Sequence, residues 1–153
     1  MPMKAAFAAA ALLLAAACSD PSGPVGPAGS ARVQIDRSVY LLLGEPAAIV
    51  SFTVRNTSPW PLALPGCSGR VSASIERLEA SEWVPRFATN PCPPVYPGLP
   101  PVVLAPGESA ADHVVVEEGG RYRLVLYLRG AEDPEFAYDA VSPEFEVVSW
   151  LAD

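Results

Sequence analysis

The stretch EEGGRYRLVLYLRG, Glu117–Gly130, decides the fold class. After its glycine pair, Tyr122, Leu124, Leu126 and Leu128 share one side of a two-residue period. Arg121, Arg123, Val125, Tyr127 and Arg129 share the other. Successive side chains of a strand point to opposite faces, so this is a strand with one face buried and one in water. The period recurs along the chain. Val50, Phe52 and Val54 alternate with Ser51, Thr53 and Arg55; Val71, Ala73 and Ile75 alternate with Ser72, Ser74 and Glu76; Phe145 and Val147 alternate with Glu144 and Glu146. RVQIDRSVYLLL (Arg32–Leu43) and DHVVVEE (Asp112–Glu118) are further strand candidates. Turn signals separate these runs: Gly44-Glu45-Pro46, Asn56-Thr57-Ser58-Pro59, Pro106-Gly107-Glu108 and Gly119-Gly120. Eighteen prolines and eleven glycines suit short strands and rigid turns, because proline breaks helices and avoids central strands. Ser74–Glu82 has some helical propensity, but Ile75 continues the strand alternation better. The expected fold is all-β, an antiparallel β-sandwich of about seven strands over residues 31–153.

The N-terminus reads differently. MPMKAAFAAAALLLAAAC carries one positive charge, Lys4, and then an apolar run from Ala5 to Ala17. A bilayer-spanning helix needs about 20 apolar residues. The run is too short for that and fits the apolar region of an export signal, residues 1–17. Ala15-Ala16-Ala17 suits ordinary signal cleavage, which would leave Cys18 as an incidental first residue. AAAC also resembles the lipobox of bacterial lipoproteins, in which the cysteine is acylated and becomes the first residue. That resemblance implies membrane lipid as the partner of Cys18, and Ser19 directly after it favours delivery to the outer membrane. Residues 18–30 then form a lipidated cysteine and a Pro/Gly/Ser tether. Largely extended, the tether spans on the order of 35 Å. GPVGPAG (Gly23–Gly29) looks like two collagen triplets but is far too short for a triple helix.

With Cys18 set aside, Cys67 and Cys92 form an even pair in loops compatible with an exported, oxidising location. Their bridge would close roughly 25 residues and constrain the unfolded chain by about 3.5 kcal/mol. A zinc site with His113 is the alternative, but it has no CxxC spacing and lacks a fourth ligand. No metal or other cofactor is expected. The formal net charge is −7, or −8 once Lys4 leaves with the signal. The other nine cations are arginines without a basic run, a composition that argues against nucleic-acid binding. His113 is the sole histidine, and no GxSxG elbow or phosphate-cradling glycine loop occurs, so no catalytic residue is assigned. The acidic run at residues 132–139 is oxygen-rich in the manner of calcium loops, without EF-hand spacing. NPCPPVYPGLPP (Asn90–Pro101) is a stiff proline-rich segment, either an edge cover or a partner-binding loop with Tyr96 and Pro97 at its tip.

Tyr122, two residues after Gly120 and two before Leu124, resembles the tyrosine corner of immunoglobulin-like domains, with Leu124 in the place of the usual cysteine. Trp83 is a candidate for the tryptophan buried in such sandwiches. NTSPWPLAL, IERLEASEWV, LAPGES and GGRYRLVLYL, taken in order over Val39–Val148, are similar to the BsuPI-type proteinase inhibitor domain family. The resemblance implies an immunoglobulin-like sandwich and, through the family name, protease inhibition, although no reactive loop is identifiable. The function expected is a membrane-anchored extracytoplasmic lipoprotein whose domain binds an envelope protein or serves the envelope structurally, without catalysis. The alternative is a proteinase inhibitor presented at the membrane surface.

Overall fold

A computed structural model describes residues 30–42, 45–86, 100–132, 135 and 137–149. Thirteen strand segments occur among them: β1 (Ala31–Ile35), β2 (Val39–Leu42), β3 (Ala48–Asn56), β4 (Leu62–Leu64), β5 (Gly66–Cys67), β6 (Arg70–Val71), β7 (Ser74–Glu79), β8 (Glu82–Arg86), β9 (Val102–Leu104), β10 (Ser109–Val116), β11 (Gly120–Gly130), β12 (Ala137–Val141) and β13 (Phe145–Ser149). No helix occurs among the described residues, and so none is long and apolar enough to cross a membrane.

The strands form two facing sheets and a separate two-stranded ribbon, β5-β6. One sheet is β1-β3-β10; the other is built on β11, which pairs β13 and β12 on one side and β7 and β4 on the other. β2 extends the second sheet beyond β13, β9 beyond β4, and β8 beyond β7. The chain crosses between sheets repeatedly, at β1–β2, β2–β3, β3–β4 and β9–β10–β11, which closes a sandwich around one core. The inward residues are those the alternation selects. Val50, Phe52, Val54 and Val114 from one sheet meet Ile75, Leu124, Leu126 and Leu128 from the other. Burying each of these side chains stabilises the fold by about 1.5–3 kcal/mol. Phe145 packs edge-on to Tyr40 at 5.7 Å and stacked on Tyr122 at 5.8 Å between ring centroids, closing the core at the Gly120 end.

Thirteen segments stand where about seven strands are expected, because long strands are broken into pieces. β12 and β13 are one strand interrupted by a bulge. Tyr122 pairs Phe145 whereas Val125 pairs Val141, so two residues of β11 face three on the other chain. Pro143, which has no N–H to give, sits in that bulge. Ser142 Oγ accepts the Leu124 N–H at 2.9 Å, replacing the ladder acceptor that the bulge displaces. The run RVSASIERLE is likewise two segments, β6 and β7, with Ser72 and Ala73 both buried between them. The sheets are not purely antiparallel either: β2 runs parallel to β13, from Val39 opposite Glu146 to Leu42 opposite Ser149.

Two hairpin tips carry positive φ at both central residues. Ser68 (φ 50°) and Gly69 (φ 81°) join β5 to β6; Ala80 (φ 44°) and Ser81 (φ 78°) join β7 to β8. This is the turn whose twist matches antiparallel strands, and it favours Asn-Gly. Ala80-Ser81 holds it without a glycine.

Candidate functional site

Three constellations of polar side chains organise the sandwich. The first is the tyrosine corner. Tyr122 is 2% exposed, and its hydroxyl donates to the Glu118 carbonyl at 2.9 Å. Burial pushes the phenol pKa upward. Leu124, two residues on, is fully buried. Gly120 permits the corner: its φ is 152°, and a Cβ there would stand 2.8 Å from Arg77 Nε.

The second lies at the opposite pole, where β3 ends. Asn56 is 0% exposed, yet every polar atom of its side chain is paired. Its Nδ2 donates to the Trp60 carbonyl at 2.8 Å and the Leu104 carbonyl at 2.9 Å. Its Oδ1 accepts from the Ser58 N–H at 2.9 Å and from Ser58 Oγ–H at 2.7 Å. Its backbone accepts from Gly107 and donates to the Glu108 carbonyl, both at 2.9 Å. One side chain thus joins the end of β3 in one sheet to the entry of β4 and the end of β9 in the other. The sequence reading treated Asn56 as a turn signal alone. Its lone placement on the inward parity of β3, after Val50, Phe52 and Val54, is the signal that marks a buried hub.

The third joins the β5-β6 ribbon to the β10 edge. Asp112 is turned inward, with its side chain 3% exposed. Oδ1 accepts from Arg70 Nη2 at 2.6 Å and from the His113 N–H at 2.9 Å; Oδ2 accepts from the Val71 N–H at 2.8 Å. Burial alone would raise this carboxyl's pKa, but these bonds and the Arg70 charge outweigh it and hold the value below the ordinary aspartate range. Arg70 Nη2 also donates to His113 Nδ1 at 3.2 Å, which fixes that ring nitrogen as an acceptor. His113 is half-exposed, opposite Ser51 of β3, beside an open cleft of about 540 Å³ that Gln34, Asp36 and Thr53 also line. Asp112 lies 3.6 Å from His113 Nδ1 and takes no hydrogen bond from the ring. Histidine and carboxylate are therefore neighbours, but the carboxylate orients an arginine and not the imidazole.

Trp83 is not the core tryptophan. It pairs with Leu78 on the outer face of β7–β8, and the Arg123 guanidinium lies over its ring, 4.4 Å from the centroid. Arg123 is held there by Glu76 at 2.7 Å. The parity was available in the sequence: Leu78 is an odd number of positions from the inward Ile75. Cys67 is half-buried in β5, opposite Arg70. Cys18, Cys92, Tyr96 and Pro97 lie outside the described residues, as does part of the acidic run 132–139. Among the described residues, no three His, Cys, Asp or Glu side chains gather into a group fit for a metal ion.

Two facing sheets, repeated crossings, a parallel edge pair and a bonded tyrosine corner define an immunoglobulin-like β-sandwich domain. No protein-family model matches the chain, and no curated protein matches it. Among solved structures, it is similar to the ASH/PapD-like domain of human CEP192 (PapD-like domain 7), with a TM-score of 0.44 and 8% identity over 99% of this chain and 100% of that one. It is also similar to part of a β-glucosidase from Listeria innocua, with a TM-score of 0.32 and 16% identity over 79% of this chain and 16% of that one.

Proposed function

We propose that the chain is a lipoprotein anchored through acylated Cys18, most readily in the outer membrane, with its immunoglobulin-like domain serving as a binding or structural module of the cell envelope that faces the periplasm or the exterior. The observation that carries this is the division of the chain. An export signal ends at a cysteine, twelve residues of tether composition follow, and a sandwich begins at Ala31. Each buried methylene of an acyl chain contributes about 0.8 kcal/mol, so two or three chains would hold the protein persistently. A non-catalytic role is supported by the cluster at His113, where the charged partners of the imidazole are engaged in joining β10 to β6. The Cys67–Cys92 bridge belongs to the same reading. Its support is the packing of β5 against Val102, the first residue of the strand that follows the Cys92 segment.

Labelling cells with a clickable fatty acid tests the anchor: wild type takes the label and Cys18→Ser does not. Equal labelling of the two rules the anchor out. Co-purification from envelope extracts then tests the binding role. The inhibitor alternative draws on the family resemblance and is separated by assay against exported proteases, in which micromolar protein leaves them active on the reading preferred here.

A further inference from the structure

We infer that the pole of the sandwich from which the tether leaves rests on the phospholipid surface that holds Cys18, with Trp60 in the headgroup layer and Arg32 and Arg55 on lipid phosphates. This rests on the reading of Cys18 as the anchored residue.

The chain enters the domain at this pole. The Ser30 carbonyl accepts the Thr57 N–H at 3.1 Å, and Ala31 lies opposite Asn56. The tether therefore begins beside the Asn56 hub. Twelve residues of the tether's Pro/Gly/Ser composition reach about 20 Å by the r.m.s. span expected of such a sequence, so this end of the domain is the one held nearest the membrane. Confinement of that kind gives a local concentration in the mM range, so a contact too weak to register in solution is populated on the surface.

What the pole presents suits a headgroup layer. Trp60 is 44% exposed, and its own carbonyl accepts from Asn56 Nδ2 at 2.8 Å and lies 2.7 Å from Ser58 Oγ, whose single proton it shares with Asn56 Oδ1. A large amphipathic ring is thus offered from a fixed backbone, at the place where tryptophan is favoured at membrane interfaces. Val103, also exposed, stands one residue from Leu104 of the same hub.

The arginines sort in the same direction. Arg37, Arg70, Arg77, Arg86, Arg121 and Arg123 each have a carboxylate partner. Arg32, Arg55 and Arg129 have none among the described residues, and all three stand one residue from the ends of strands that finish at this pole. Arg32 and Arg55 are exposed and directly opposite each other in the β1–β3 ladder. Like charges so placed repel, and a phosphate between them removes the repulsion. The nearby carboxylate of Glu108 does not do so: its Oε2 accepts the Ala105 N–H at 2.8 Å. The lipid-facing flank is therefore the β1–β3 corner.

The test uses the acylated protein extracted from membranes and reconstituted in phosphatidylcholine/phosphatidylglycerol vesicles whose acyl chains carry bromine near the headgroups. Tryptophan quenching is compared between wild type and Trp60→Phe, which leaves Trp83 and Trp150 in place. The wild type is expected to be quenched and Trp60→Phe to lose at least about half of that quench, as for a ring at the interface. Arg32→Ser with Arg55→Ser should weaken quenching by the anionic vesicles. Equal quenching in wild type and Trp60→Phe overturns the inference; if light scattering then shows a dimer that Trp60→Phe dissociates, the pole's occupant is a second copy. The mass of the N-terminal fragment keeps the two readings apart. Acyl mass present with Trp60 unquenched overturns this inference alone, whereas acyl mass absent overturns the anchor and this inference with it.

Discussion

Asn56→Ala should be among the most destabilising single changes in the domain, and the hub geometry gives its size. The side chain makes four hydrogen bonds in a place without water. After truncation the Ser58 hydroxyl, whose one proton is shared between Asn56 Oδ1 and the Trp60 carbonyl, donates to the Trp60 carbonyl alone. The Ser58 N–H and the Leu104 carbonyl lose their Asn56 partner. Leaving two buried groups unpaired costs about 1–3 kcal/mol each, so a loss of about 2–6 kcal/mol is expected. That is a large share of the roughly 5–15 kcal/mol that holds a domain together. In urea, with a slope near 2 kcal/mol per M, the midpoint should fall by about 1–3 M. The assay is tryptophan fluorescence on the mature chain carrying Cys18→Ser. Asn56→Asp adds a second signature. A carboxylate accepts from Ser58 as the amide does but sets negative charge against the Trp60 and Leu104 carbonyls. The folded state therefore favours the protonated form and raises this pKa above its unfolded value of about 3.9. Protons are then bound more tightly in the folded state, so the stability of Asn56→Asp must fall, relative to wild type, as the pH rises from 4 to 8. An alanine variant within about 0.5 kcal/mol of wild type, or an aspartate variant without that pH trend, refutes the hub.

Three further outcomes follow from other positions. Ser142→Ala removes the acceptor of the buried Leu124 N–H at the β12–β13 bulge and should cost about 1–3 kcal/mol in the same urea assay. Ala80→Asn with Ser81→Gly puts the favoured residues into a turn already at positive φ and should raise stability by about 1–2 kcal/mol; no gain in melting temperature contradicts the turn geometry. Asp112 contributes stability that is present above the ordinary aspartate pKa and lost as the pH falls through its lowered folded value. The stability gap between wild type and Asp112→Asn should therefore shrink from pH 7 to pH 3, as read by thermal unfolding at each pH.

The sandwich was legible because period two is a direct imprint of a half-buried strand. Val50, Phe52, Val54, Tyr122, Leu124, Leu126, Leu128, Phe145 and Val147 are all buried as the alternation requires. Tyr122 was legible as a corner because glycine before it and an inward leucine after it fix the local geometry. What escaped was whatever depends on partners remote in sequence. Nothing in the neighbourhood of Asn56 points to Leu104, 48 positions away, or in that of Asp112 to Arg70 and Val71. Composition shows nine arginines but not which of them find carboxylates, because that follows from strand order. Trp83 was misplaced by residue type; carrying the Ile75 parity across the hairpin assigns it to the outer face, where Arg123 covers it. The bulge at Ser142-Pro143 was not legible either, because one added residue breaks a ladder without ending the strand.

The mass of the intact protein extracted from the membrane fraction decides whether Cys18 is the point of attachment. A chain beginning at Cys18 that carries the mass of two or three acyl chains, with no free thiol at Cys67 or Cys92, is expected. A mature chain without acyl mass, recovered from the soluble fraction, contradicts that attachment.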